Sequence, residues 1–102
     1  MPYMIQATDK PGTTALRQST RPAHLKFLAD NAAKLLACGA LLDDATGEGI
    51  GSLYIVDTED RAEAEAFIAA DPFSGAGLFG ETRVMRWRKA YLDGKSFLPP
   101  AP

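Results

Sequence analysis

The chain has 102 residues, enough for one domain with a single modest core and too few for two. Its apolar fraction of 46% and charged fraction of 24% are those of an ordinary globular protein. The net charge of -2, from 11 basic and 13 acidic residues, argues against a nucleic-acid or anionic-membrane partner. A single cysteine excludes an intrachain disulfide, and one histidine with one cysteine leaves no metal-ligand spacing to defend. The start of the chain has neither the basic flank nor the apolar run of a signal peptide, and no window has the apolar length to span a bilayer. The expectation is a cytoplasmic domain held together by packing.

Tyr3 to Thr8 reads as a strand with Tyr3, Ile5 and Ala7 on one face and Met4, Gln6 and Thr8 on the other. Asp9-Lys10-Pro11-Gly12 breaks it. Thr13 to Ser19 is polar, at most a turn or two of helix. Ser19 and Thr20 are placed to cap a second helix, with Pro22 in its first turn and Gly39 as its stop. Leu25, Leu28, Ala32, Leu35 and Leu36 form its apolar stripe.

A strand is expected over Ala40 to Asp43, and a clearer one over Ile50 to Asp57. Leu53 with Ile55 and Tyr54 with Val56 make both faces of that strand apolar, so something must cover each; a second copy of the chain is the simplest candidate. Thr58 can cap a helix over Glu59 to Ala70, which Asp71-Pro72 closes. Phe73 to Leu78 is a compact connection and Thr82 to Arg88 the last strand. From residue 91, Asp93-Gly94 and the closing prolines indicate a tail, 91-102, without a core of its own, after a domain over 1-90. Strand, helix, strand, strand, helix, strand is the α+β, ferredoxin-like βαββαβ arrangement.

His24 is the one side chain whose ordinary pKa suits proton transfer near neutrality. Placed near a helix start, it would be held neutral by the helix dipole. The plain alternative is a core-edge imidazole bonded to a carbonyl. Asp71 continues the buried face of its helix, where a carboxylate needs a cationic or N–H partner, although an Asp-Pro cap alone also explains it. Arg21 can grip an anionic group in its planar fork or pair with a surface acid. Gly47-Glu48-Gly49-Ile50-Gly51 leads into a strand instead of a helix, so it is not a phosphate loop. Cys38 is expected to be buried as a small apolar residue.

Arg-Pro-Ala-His-Leu at 21 to 25, Ala-Asp-Pro-Phe at 70 to 73 and Ala-Gly-Leu-Phe at 76 to 79 resemble the YciI-like (YCII) proteins, as does the final Arg-Val-Met-Arg-Trp. The resemblance spans roughly residues 3 to 90. It implies a ferredoxin-like dimeric α+β barrel formed through the sheet, with a His-Asp pair mapping onto His24 and Asp71. It also implies lyase-type chemistry for some relatives. The leading expectation is a cofactor-free enzyme, with no bound metal, in which His24 is the general base or acid and Asp71 orients it. The substrate would be a small cyclic or aromatic molecule, with Arg21, Met4, Tyr54 and Phe73 around it. The alternative is a non-catalytic dimeric module that binds a metabolite or a protein.

Overall fold

The computed structural model describes residues 1–100. Residues 101 and 102 of the expected tail lie outside them. Strand β1 spans Tyr3–Asp9, helix α1 Thr14–Asp30, β2 Leu35–Leu42, β3 Gly49–Val56, α2 Arg61–Ala70, α3 Pro72–Gly75 and β4 Phe79–Arg86. The four strands form one antiparallel sheet in the order β2-β3-β1-β4. This is the ferredoxin-like plan expected from the element order.

Pairing of Tyr3 with Val56 and Arg86, and of Ile5 with Tyr54 and Val84, fixes which side chains share a face. Tyr3, Ile5, Tyr54 and Val56 join Ala64, Phe67 and Ile68 of α2 in the core, with Phe27, Leu28, Leu35, Phe79 and Val84 packed against them. Alternate residues Met4, Leu53, Ile55 and Met85 point to the opposite face, which no helix of the chain covers, and Met85 is left 54% exposed. The two-faced apolar character of β3 is therefore real. Among the described residues, no helix is long and apolar enough to cross a membrane.

Several boundaries differ from expectation. The polar stretch and the second helix are one helix, α1, with Pro22 inside it at the ninth position. Pro22 has no N–H to give to the preceding turn, a defect that the helix tolerates because its inner face is anchored by tertiary bonds. The helix stops at Asn31 and not at Gly39. Asn31 caps it by returning both its backbone N–H and its side-chain Nδ2 to the carbonyl of Phe27. Leu35 and Leu36, assigned to the helical stripe from their spacing, open β2 instead. Helix α2 is capped by Asp60, whose carboxylate accepts from the Ala62 N–H; Thr58 accepts from the Asp60 N–H one step earlier. Asp71 both ends α2 and caps α3, as the Asp-Pro pair suggested. Beyond β4, Tyr91–Leu92 (β5) and Lys95–Ser96 (β6) make a small hairpin turned by Asp93 and Gly94, with φ of 53° and 76°. Two successive left-handed residues are what a two-residue hairpin turn needs.

Gly51 of β3 lies close against the backbone of β1. A Cβ there would meet the Ala7 carbonyl oxygen at 2.6 Å and Leu41 Cδ1 at 3.2 Å. Backbone cannot swing aside as a side chain can, so Gly51→Ala should destabilise the fold by roughly 1–3 kcal/mol. Denaturant unfolding would read this, and unchanged stability would contradict the close approach.

Candidate active site

Helix α1 has two buried residues, Arg17 and His24, and neither is apolar. With Arg21 they occupy positions i, i+4 and i+7, one face of the helix. His24 thus sits in the second half of a 17-residue helix, well away from its N-terminus. The dipole effect expected on the imidazole is confined to the first turn and does not reach it. Its setting is made by Asp71 instead.

Asp71 is fully buried. Three groups from three elements converge on its carboxylate. Tyr54 Oη of β3 donates to Oδ2 at 2.7 Å, the Phe73 N–H of α3 donates to Oδ1 at 2.8 Å, and His24 Nδ1 of α1 lies 2.9 Å from both oxygens. A buried carboxylate with two other donors on it is acceptor to the third, so Nδ1 is assigned as the N–H and the lone pair falls on Nε2. Among the described residues, no protein group engages Nε2.

The Phe73 ring stacks on the imidazole with centroids 3.9 Å apart and planes 14° from parallel. Asp71, Pro72 and Phe73 therefore control the ring twice, the carboxylate within its plane and the phenyl group across it. Proline fixes φ between the two contacts. Burial first, and then the charge of Asp71, push the Tyr54 phenol well above its ordinary value, so it remains a donor.

Beside this group lies a cavity of about 250 Å3 lined by Arg17, Arg21, His24, Leu25 and Leu28 of α1, Cys38, Gly39 and Ala40 of β2, Ser52 and Tyr54 of β3, and Phe73. A larger cavity of about 350 Å3 lies between the end of α1 and α2, against Phe27, Lys34, Val56, Asp57, Glu63 and Phe67. Size favours the larger one. Chemistry favours the smaller, which alone adjoins a buried imidazole with an oriented proton.

The structure thus brings His24, Asp71, Arg21, Tyr54 and Phe73 together. Met4 is not with them. It points from β1 to the uncovered face of the sheet, opposite Ile55 and Met85, because it alternates with the core residues Tyr3 and Ile5. Tyr54, expected as an apolar wall, contributes its ring to the wall and its hydroxyl to Asp71. Cys38 is exposed on the edge strand β2 instead of buried in a helix end. Burial against the cavity, and then the charge of Asp71, still raise its thiol above the ordinary value.

Sequence reasoning missed Arg17. Its Nη1 donates to both oxygens of Asp9 at 3.0 and 2.8 Å, and Nη2 to the Gly51 carbonyl at 3.0 Å and to Ser52 Oγ at 3.3 Å. Its guanidinium also lies 4.8 Å from the Phe73 ring centroid. A Cβ on Gly49 would come within 2.5 Å of Arg17 Nε, so this one glycine gives the guanidinium room against the strand. A lone cation in a polar stretch gave the sequence no signal for this role.

The YCII-related domain matches residues 1–88. The chain belongs to this family. Protein YciI of Escherichia coli O6:H1 (strain CFT073) is 33% identical over 98 residues, which cover 89% of this chain and all of that protein. Among solved structures, the 5-chloro-2-hydroxyhydroquinone dehydrochlorinase TftG of Burkholderia phenoliruptrix AC1100, in complex with 2,5-dihydroxybenzoquinone, superposes with a TM-score of 0.81. It is 36% identical, over 86% of this chain and 94% of that one. A structure from Chloroflexus aurantiacus J-10-fl, 11% identical over 89% of this chain and 97% of that one, shares the fold alone, with a TM-score of 0.52. A ferredoxin-like YCII domain is thus established, and the residue numbers 24 and 71 fall inside the matched span.

Because the Tyr54 hydroxyl titrates higher in the folded protein than its reference value of 10.0, the unfolded chain loses that proton first as pH rises. The fold's advantage from this group is complete below pH 10 and declines above it. Thermal unfolding measured across this range should fall less steeply with pH for Tyr54→Phe than for wild type. Parallel curves would show that the phenol carries no such linkage.

Proposed function

We propose that this YCII protein is a cofactor-independent enzyme of the lyase type, in which His24 Nε2 exchanges a proton with a small cyclic substrate held in the adjoining cavity. One observation carries this reading: a buried imidazole whose Nδ1 is bonded to the Asp71 carboxylate, with Nε2 left unengaged at a cavity wall. Asp71 fixes the tautomer and stabilises the imidazolium that forms when Nε2 accepts a proton. Loss of a neighbouring leaving group from the deprotonated substrate completes an elimination. Return of the proton elsewhere on the ring completes an isomerisation by the same machinery.

The likeness to TftG, a dehydrochlorinase bound to a hydroxylated quinone in its structure, supports elimination and a single-ring substrate. A cavity of about 250 Å3 accommodates such a ring. The protein's own residues supply base and orienting carboxylate, so the proposed step requires no redox cofactor.

Chloride release from 5-chloro-2-hydroxyhydroquinone and related chlorinated rings, followed by ion chromatography, tests this. Wild type should turn over at least one of them. His24→Gln and Asp71→Asn should each lower kcat by about 10²–10⁴-fold while staying folded, the range that positioned acid-base groups provide. Activity retained in His24→Gln would remove the imidazole from the mechanism, and binding without conversion would favour the non-catalytic module.

We further propose that the uncovered sheet face is where two copies meet. Met4, Leu53 and Met85 surround the buried Ile55 in an apolar strip on that face, with Met85 left 54% exposed. Light scattering should find a dimer, and Met85→Glu should shift it toward monomer. A monomeric wild type at micromolar concentration would end this proposal.

A further inference from the structure

We infer that the cavity selects small planar organic anions, carboxylates or acidic enols, and that Arg21 holds their charge. This rests on reading the cavity as the substrate site, but not on turnover. The first ground is the charge of its walls. Arg17 and Arg21 both line it, and no aspartate or glutamate does. The two carboxylates behind the walls are already committed. Asp9 is paired with Arg17, and Asp71 accepts from His24, Tyr54 and the Phe73 N–H.

The second ground is the difference between the two arginines. Arg17 spends both terminal nitrogens on Asp9, Gly51 and Ser52, so its charge is already balanced. Among the described residues, Arg21 has no ion-pair partner. Its helix neighbours at i−4, i−3, i+3 and i+4 are Arg17, Gln18, His24 and Leu25, none of them acidic. The free guanidinium stands one turn from His24, and its planar fork matches a carboxylate or an enolate.

Shape supplies the third ground. Across from the helix, β2 presents Ala40 and the backbone of Gly39 to the cavity. With Cys38 the third residue of this strand in the lining, β2 offers only small groups here, which leaves room for a flat ring beside His24. An anion there also fits the chemistry, because proton removal by Nε2 leaves negative charge on the substrate one turn from Arg21.

Calorimetric binding to the full chain in a Cys38→Ser background, which removes the thiol as a competing nucleophile, tests the inference with two matched pairs. Benzoate against benzamide isolates the carboxylate, and 2,5-dihydroxybenzoquinone against its uncharged dimethyl ether isolates the acidic enol. At least one anion should bind about tenfold or more tighter than its neutral counterpart, as a charge-assisted hydrogen bond provides. The pair that shows the preference identifies the source of the charge. Arg21→Gln should abolish the preference and Arg21→Lys should keep part of it, and added salt should weaken it in wild type. Equal binding of charged and neutral partners, a preference surviving Arg21→Gln, or no binding of either anion at millimolar concentration would overturn the inference. His24→Gln separates the two readings: it should lower kcat by the same factor of about 10²–10⁴ yet retain the anion preference.

Discussion

The Asp71 carboxylate is the constraint on which the rest of this site depends. An ionised group with no exposure to water is stable only when its oxygens are fully bonded. Here the donors come from α1, β3 and the start of α3, so one charge ties two helices to the sheet. The same bonds that make the carboxylate tolerable also fix the imidazole. Stability and site geometry are therefore one arrangement, and removing any donor loosens both.

A second charged tether does similar work one end along. Arg17 links α1 to β1 through Asp9 and to β3 through Gly51 and Ser52. Both side chains of this pair are about nine-tenths buried. Helix α1 is thus seated on the sheet at its site-facing side by an arginine and a histidine, while Phe27 and Leu28 pack on the core nearer its end. Pro22 lies between the two tethers. A helix that relied on propensity and an apolar stripe would suffer from a proline there, whereas one anchored on either side of it has less to lose.

Much of this was legible in the sequence, for identifiable reasons. The order of strands and helices follows from alternation in Tyr3 to Thr8, the apolar run of Ile50 to Val56 and the Asp71-Pro72 break. Asp71 was readable because it continues the buried face of α2, and His24 because no other residue has its chemistry; their pairing followed from the partner a buried carboxylate needs and from the family resemblance, not from spacing. Arg17 was not readable, since a lone cation in a polar stretch carries no periodicity and its partner Asp9 sits in what reads as a turn. The end of α1 was misplaced because Leu35 and Leu36 satisfy helical spacing while belonging to a strand. Local spacing cannot distinguish these when tertiary pairing decides. Met4 shows the converse error: its alternation was read correctly, but which face the helices cover is settled only by the whole fold.

The three consecutive residues Asp71, Pro72 and Phe73 divide the cavity into a part that can drift and a part that cannot. Carboxylate and stacked ring are carried on one short, proline-stiffened span, so altering either displaces the proton carrier itself. Leu25 and Leu28 on α1 and Cys38 and Ala40 on β2 carry no such obligation. Changes in which ring is accepted should accumulate there, leaving the chemistry intact while the clientele changes.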